Sequence, residues 1–208
     1  CVDDVEVELW GECYNIEETT IINRFGEGIS GDLPDSIGLL TNLISIIVPF
    51  NQLTGQIPLS FQNLSELRVF DLRNNQISGE IDVIGNLTNL EIVLFSNNSF
   101  VGQLPENMGT INNLVYFEIE NNNLTGNLPV GIYDLQDLKS LILYNNNFQG
   151  HILQQINALR ELETLSLFNN QFEGEIPSSI CDPGIDYIII ENNRFCPPYP
   201  DCIEYIGY

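Results

Sequence analysis

Basic residues are scarce: the 208-residue chain has 6 Lys and Arg against 29 Asp and Glu, a formal charge of -23. Such a surface repels phosphate backbones and anionic headgroups, so nucleic acid is not an expected partner. The acid reads first as a solubility device for a secreted protein, with attraction for a basic partner or for divalent cations as its other use. Long apolar runs are also missing. With none near about eighteen residues, no direct insertion into a bilayer is expected. Histidine occurs once, at His151. Neither a Ser/His/Asp nor a Cys/His set can therefore be assembled, and no Cys/His grouping has zinc spacing. No compact oxygen-rich loop of the kind that holds calcium is present. Neither metal nor cofactor is expected, and His151 reads as a surface residue.

Cysteine is absent from the middle of the chain. Cys1 and Cys13 lie at one end, and Cys181, Cys196 and Cys202 at the other. That placement suggests disulfide staples on end caps, made in an oxidising compartment. The expected bridges are Cys1–Cys13 and Cys196–Cys202. Cys181 is then odd, and Cys181–Cys196, Cys181–Cys202 or a partner beyond Tyr208 are the alternatives. Opening on Cys1 without a charged-then-apolar leader fits a chain whose signal peptide has been removed. A cysteine at a first mature position is also the form of a bacterial lipidation site.

What is present is a period. Asn51, Asn75, Asn98, Asn122, Asn146, Asn170 and Asn193 recur at steps of 23 or 24 residues. An apolar frame travels with them: Leu43, Ile46, Val48 and Leu53 in one copy, and Leu114, Phe117, Ile119 and Leu124 in another. The frame reads LxxLxLxxNxLxGxIP, and a pattern running from end to end argues for one continuous body. Its LxL alternation predicts a short strand per repeat, stacked on the next at about 4.8 Å in a parallel sheet. The asparagine follows the strand, where its amide can pair backbone groups that the turn buries. The recurring glycine suits a bend. Proline at 34, 58, 105, 129 and 177 then opens a short helical return. Asp82, in a repeat one residue short, and Leu153 stand where proline is expected, which predicts a local change of the convex face.

The GxIP ending, with Leu-Thr-Gly before it, makes the frame resemble the plant-type subclass of leucine-rich repeats, as in receptor-kinase ectodomains and polygalacturonase-inhibiting proteins. The segments GECYNIEETT and FCPPYPDC resemble the caps of secreted bacterial repeat proteins of this class. The resemblance implies an α/β solenoid: a right-handed arc with a parallel β-sheet on its concave face, short helical or 3-10 returns on its convex face, and disulfide-bonded caps. The expected organisation is an N-terminal cap at 1–15, about seven or eight repeats over 16–195 and a C-terminal cap at 196–208. VEVELW at 5–10 is expected as an edge strand over the first rung, with Trp10 as a lid. The first copy is imperfect: Arg24 stands at an inward leucine position and Glu27 at the asparagine. A buried unpaired arginine is costly. Either the register slips here or Arg24 pairs with an acid of the cap, for which Asp3, Asp4, Glu6, Glu8 and Glu12 are candidates.

Subtracting the frame leaves the outward strand positions in three columns. The candidates for protein binding are Ile47, Phe50, Val69, Arg73, Ile92, Leu94, Tyr116, Glu118, Glu120, Ile142, Tyr144, Phe168, Tyr187 and Ile189. Phe50 is the clearest departure from scaffold, since other copies carry a second asparagine there (Asn74, Asn97, Asn121). Apolar residues at exposed strand positions can simply satisfy β propensity. So large an apolar, acid-dotted patch instead points to a protein or peptide ligand. Glu118 and Glu120 would lie about 7 Å apart on one face, a separation that suits an inverting glycosidase. An exposed sheet has no water-excluding pocket, so no enzyme is expected. Sequons at Asn63, Asn86, Asn97 and Asn123 are possible glycosylation sites in a eukaryotic secretory pathway. The expected function is an extracellular recognition module that binds a protein or peptide on its concave face. The alternative is a structural or adhesion spacer of a larger surface protein.

Overall fold

The computed structural model describes residues 1–203, so residues 204–208 of the expected C-terminal cap lie outside the described part. Each LxL alternation forms a three-residue strand. The eight strands are Ile21–Asn23, Ser45–Ile47, Val69–Asp71, Ile92–Leu94, Tyr116–Glu118, Ser140–Ile142, Thr164–Ser166 and Tyr187–Ile189, called rungs 1 to 8 below. They lie in chain order in one parallel sheet. Equivalent residues face each other in register, with Phe117 opposite Val93 and Leu141. The middle residue of rungs 1 to 7 is buried, because a period of two sends alternate side chains to opposite faces. Inside, Phe61, Phe70, Phe95 and Phe100 touch in series, with ring centroids 5.4, 4.9 and 5.2 Å apart. Burying each such ring stabilises the fold by about 1.5–3 kcal/mol.

The period asparagines do what the turn requires. Asn122 Nδ2 donates to the carbonyls of Ile119 at 2.9 Å and Phe95 at 3.1 Å, and its Oδ1 accepts from the Phe100 N–H at 3.0 Å. Each of these amides joins its own turn to the preceding repeat, and the pattern holds from Asn51 to Asn193. Beyond them, the Leu-Thr-Gly segments form a second layer of short parallel strands. Four of these, from Thr125–Gly126 to Arg194–Cys196, make one sheet, and two strand pairs precede it. The glycine bend sits within this layer. Gly126 has φ 81°, and a Cβ there would lie 2.8 Å from the Gln103 side chain.

Among the described residues, the seven returns are 3-10 helices. Pro34, Pro58, Pro129 and Pro177 precede them in extended geometry. In the short repeat the missing residue falls upstream of the return. Ile81, fully buried, takes the place before the helix, and Asp82 is its first residue. Leu153 keeps the extended geometry, and its N–H, which proline lacks, donates to the Tyr133 hydroxyl at 3.1 Å. The expected local change is therefore seen at Asp82, where Ile81 before the return has φ -110° and ψ 15° in place of extended geometry, and not in the backbone at Leu153.

VEVELW is not an edge strand of the main sheet. Glu6–Leu9 pairs antiparallel with Glu12–Asn15 in a hairpin. Its turn residues Trp10 and Gly11 both have positive φ, the backbone twist that two-residue hairpin loops favour. Val7 and Leu9 close the core, with Trp10 packed beside them. The register of the first copy does not slip, since Ile22 faces Ile46. Arg24 is paired instead, with Glu12 at 3.2 Å and with Glu27. At the ends, Cys1–Cys13 forms as expected. The expected Cys196–Cys202 bridge does not: Cys202 joins Cys181, at a Cα separation of 5.8 Å. Cys196 is held in the second sheet opposite Glu175, exposed and free, while Cys181 ends the last return next to the tail.

Candidate functional site

The fourteen candidate binding residues lie on rungs 2 to 8 or in the turns that follow them, on the sheet face away from the core. Val69, Ile92, Ile47, Leu94, Ile142, Arg73, Glu118, Glu120, Tyr144 and Phe168 are half-buried, and Phe50, Tyr116, Tyr187 and Ile189 are exposed. The structure brings them onto one surface but not into one cluster. From rung 2 to rung 8 is about 29 Å at the usual strand spacing. Small residues between them (Ser45, Ser96, Ser140, Ser166) are buried on the same face.

A polar centre separates two apolar ends. Asp71 is buried and accepts both Arg73 Nε at 2.9 Å and Nη2 at 2.7 Å. That pairing raises the Arg73 pKa, and Glu118 and Glu120 add to it. Ser140 Oγ donates to Glu118 at 3.1 Å, and Ser96 Oγ donates to Glu120 at 2.6 Å. Burial raises the pKa of Glu118; the Ser140 hydrogen bond opposes this and neighbouring Glu120 reinforces it. Both carboxylates are thus held by serines and face a guanidinium. Towards the C-terminal end, the rings of Tyr144 and Phe168 pack at 5.2 Å. Burial, then Glu120, raises the Tyr144 pKa. His151 is exposed, with Nδ1 3.0 Å from the Glu173 carbonyl oxygen. All four sequon asparagines are exposed, and Asn97 Oδ1 also accepts from Asn121 Nδ2 at 2.8 Å.

The outward columns expected from the sequence began at rung 2 and left out the outward residues of rung 1. Ile21 and Phe25 continue the outward columns, because Ile21 faces Ser45 and the Gly26 N–H donates to the Pro49 carbonyl. Stepping back one period from Ser45 gives Ile21, so the period itself could have supplied them. The second asparagine noted in the sequence marks a further column. Gly26, Phe50, Asn74, Asn97, Asn121, Asn145, Asn169 and Asn192 all sit in the left-handed region, with φ between 53° and 63°. From Asn97 to Asn192 their side chains form a ladder of amide hydrogen bonds of 2.6–2.8 Å. Asparagine tolerates this backbone and most side chains do not.

The leucine-rich-repeat family model matches residues 66–87, 113–135 and 161–183. The crystal structure of a pollen receptor kinase 3 is 33% identical, with a TM-score of 0.69, and the match covers 77% of this chain and 78% of that one. The chain belongs to the leucine-rich-repeat family. This leucine-rich-repeat chain is also similar to the plant peptide hormone receptor RGFR1, solved in complex with RGF2, at 32% identity and a TM-score of 0.79. A third likeness is to the Arabidopsis receptor kinase HAESA, solved with the peptide hormone IDA and the co-receptor SERK1, at 29% identity and a TM-score of 0.77. It spans 27% of the RGFR1 chain and 28% of the HAESA chain. No curated protein matches its sequence. Among the described residues, no helix is long and apolar enough to cross a membrane.

Proposed function

We propose that this chain is an extracellular recognition module that binds a peptide or an extended protein segment along its concave sheet. The observation that carries the reading is the division of labour along each rung. Inward residues and the period asparagines, such as Asn122 and Asn146, are committed to the scaffold. The opposite face presents Tyr116, Tyr144, Phe168, Tyr187 and Ile189 around the Asp71, Arg73, Glu118 and Glu120 centre. Aromatic side chains ringed by polar groups are the usual anchors of protein recognition. Support comes from the RGFR1 and HAESA complexes, both with peptide hormones, and from disulfides at both ends, which suit an oxidising compartment. The excess of acid favours a basic ligand. Binding rather than catalysis is the proposed role, since both central glutamates are held by serines on an open sheet.

The test is selection of a random-peptide library on the immobilised chain and on the variant Tyr116→Ala, Tyr144→Ala, Phe168→Ala. Peptides selected on the wild type are expected to bind the variant at least about tenfold more weakly, the loss of one anchor contact or more. Equal binding to both proteins rejects the concave site and favours a spacer role.

A further inference from the structure

Phe50 is the one residue other than glycine or asparagine in the left-handed column, at φ 55°. A bulky side chain rarely adopts that backbone, and strain of this kind gathers where function holds it. Phe50 is 52% exposed, and its ring packs on that of Phe25, itself 60% exposed, with centroids 5.3 Å apart. Ile21, on the same end of the sheet, is 59% exposed. An asparagine at position 50, as in the later copies, would relieve the backbone and remove exposed apolar surface. The sequence instead keeps two large rings together in solvent, at the opposite end of the sheet from Tyr144 and Phe168.

The surroundings select the occupant. Residues 1–27 contain eight Asp and Glu and a single basic residue, Arg24, which is already paired with Glu12 and Glu27. The next basic residues, Arg68 and Arg73, are paired with Glu91 and Asp71. A second copy of this chain, at a formal charge of -23, would meet its own field and be repelled. We propose that the Phe25–Phe50 pair is an anchor ledge for an aromatic side chain flanked by lysine or arginine in a peptide partner. This rests on the concave-face reading and names the ligand chemistry at its N-terminal end. An aromatic residue stacks on the two rings, and its basic neighbours meet the acid of the cap and first rung.

The experiment uses the whole chain and three fluorescein-labelled synthetic peptides, followed by anisotropy. One has tryptophan flanked by lysines, one has alanine in place of the tryptophan, and one has glutamates in place of the lysines. Saturable binding is expected for the first only, with the others about tenfold weaker or more. Phe50→Asn is expected to weaken the first by about tenfold while raising the melting temperature by about 2–4 °C, as the backbone relaxes. Phe25→Ser is expected to weaken it without that rise. Absence of binding to the lysine-tryptophan peptide at about millimolar concentration overturns the ledge, as does unchanged binding by Phe50→Asn or equal binding of the glutamate peptide. If Phe50→Asn is silent while the Tyr116, Tyr144, Phe168 triple variant loses its library peptides, the ledge fails and the concave reading stands. If the reverse holds, the ledge stands and the wider face does not bind.

Discussion

The two asparagine columns are adjacent in sequence and differ in physics. Asn122 is buried, and its amide pairs the Phe100 N–H and the carbonyls of Phe95 and Ile119. Asn122→Ala leaves those groups unpaired, and an expected loss of about 2–4 kcal/mol would be read from urea unfolding. Asn121 is partly exposed and holds φ 56°, so Asn121→Ala is expected to cost about 1–2 kcal/mol, chiefly through the left-handed backbone. Glu118 gives a prediction with a definite sign. Burial raises its folded pKa, against the Ser140 hydrogen bond, so the native state holds the proton to higher pH than the unfolded chain does. Its contribution to stability is greatest below the ordinary glutamate range and falls as pH rises through the folded pKa. Glu118→Gln lacks that slope. Urea unfolding at about pH 4 and about pH 7 should show the wild type losing ground to the variant at the higher pH. The reverse trend would mean that the Ser140 hydrogen bond outweighs burial.

At the scale of elements, legibility followed repetition. The inward leucines and the Asn122 column could be read because each copy restated the same geometric demand. Rung 1 was legible as an imperfect copy in which Arg24 either slips the register or pairs with an acid of the cap, but no local pattern gave the choice of Glu12 or the second partner, Glu27. Nor did the period reveal the second sheet, since Leu-Thr-Gly reads equally as a bend and as a two-residue strand. The outward columns were legible as a face. Their division into a charged centre and two aromatic ends depends on which rungs adjoin, and so required the register. The C-terminal bridge shows the same limit of local reading. Cys196 and Cys202 are close in sequence, but Cys196 is fixed in the second sheet opposite Glu175, while Cys202 meets Cys181 across 21 residues. Cys181→Ser should therefore lower stability by about 2–4 kcal/mol. Cys196→Ser should leave the melting temperature unchanged, and thermal melts without reductant compare the two.

On the scale of the molecule, the solenoid has two broad surfaces, and both carry exposed apolar residues. The convex returns show Leu39, Leu59 and Val130, scattered one to a return. The concave sheet shows its apolar residues in register, in packed pairs and around a charged centre. Isolated exposed residues are ordinary on a protein surface, whereas rings packed in pairs on one face beside a charged centre mark a binding surface. A ligand is proposed to sit on that face. Hydroxyl-radical footprinting, with and without a saturating library-selected peptide, reads those side chains directly. Tyr116, Tyr144 and Phe168 are expected to be protected while Leu59 and Val130 react as before; protection of Leu59 and Val130 with the three concave rings unchanged would contradict it.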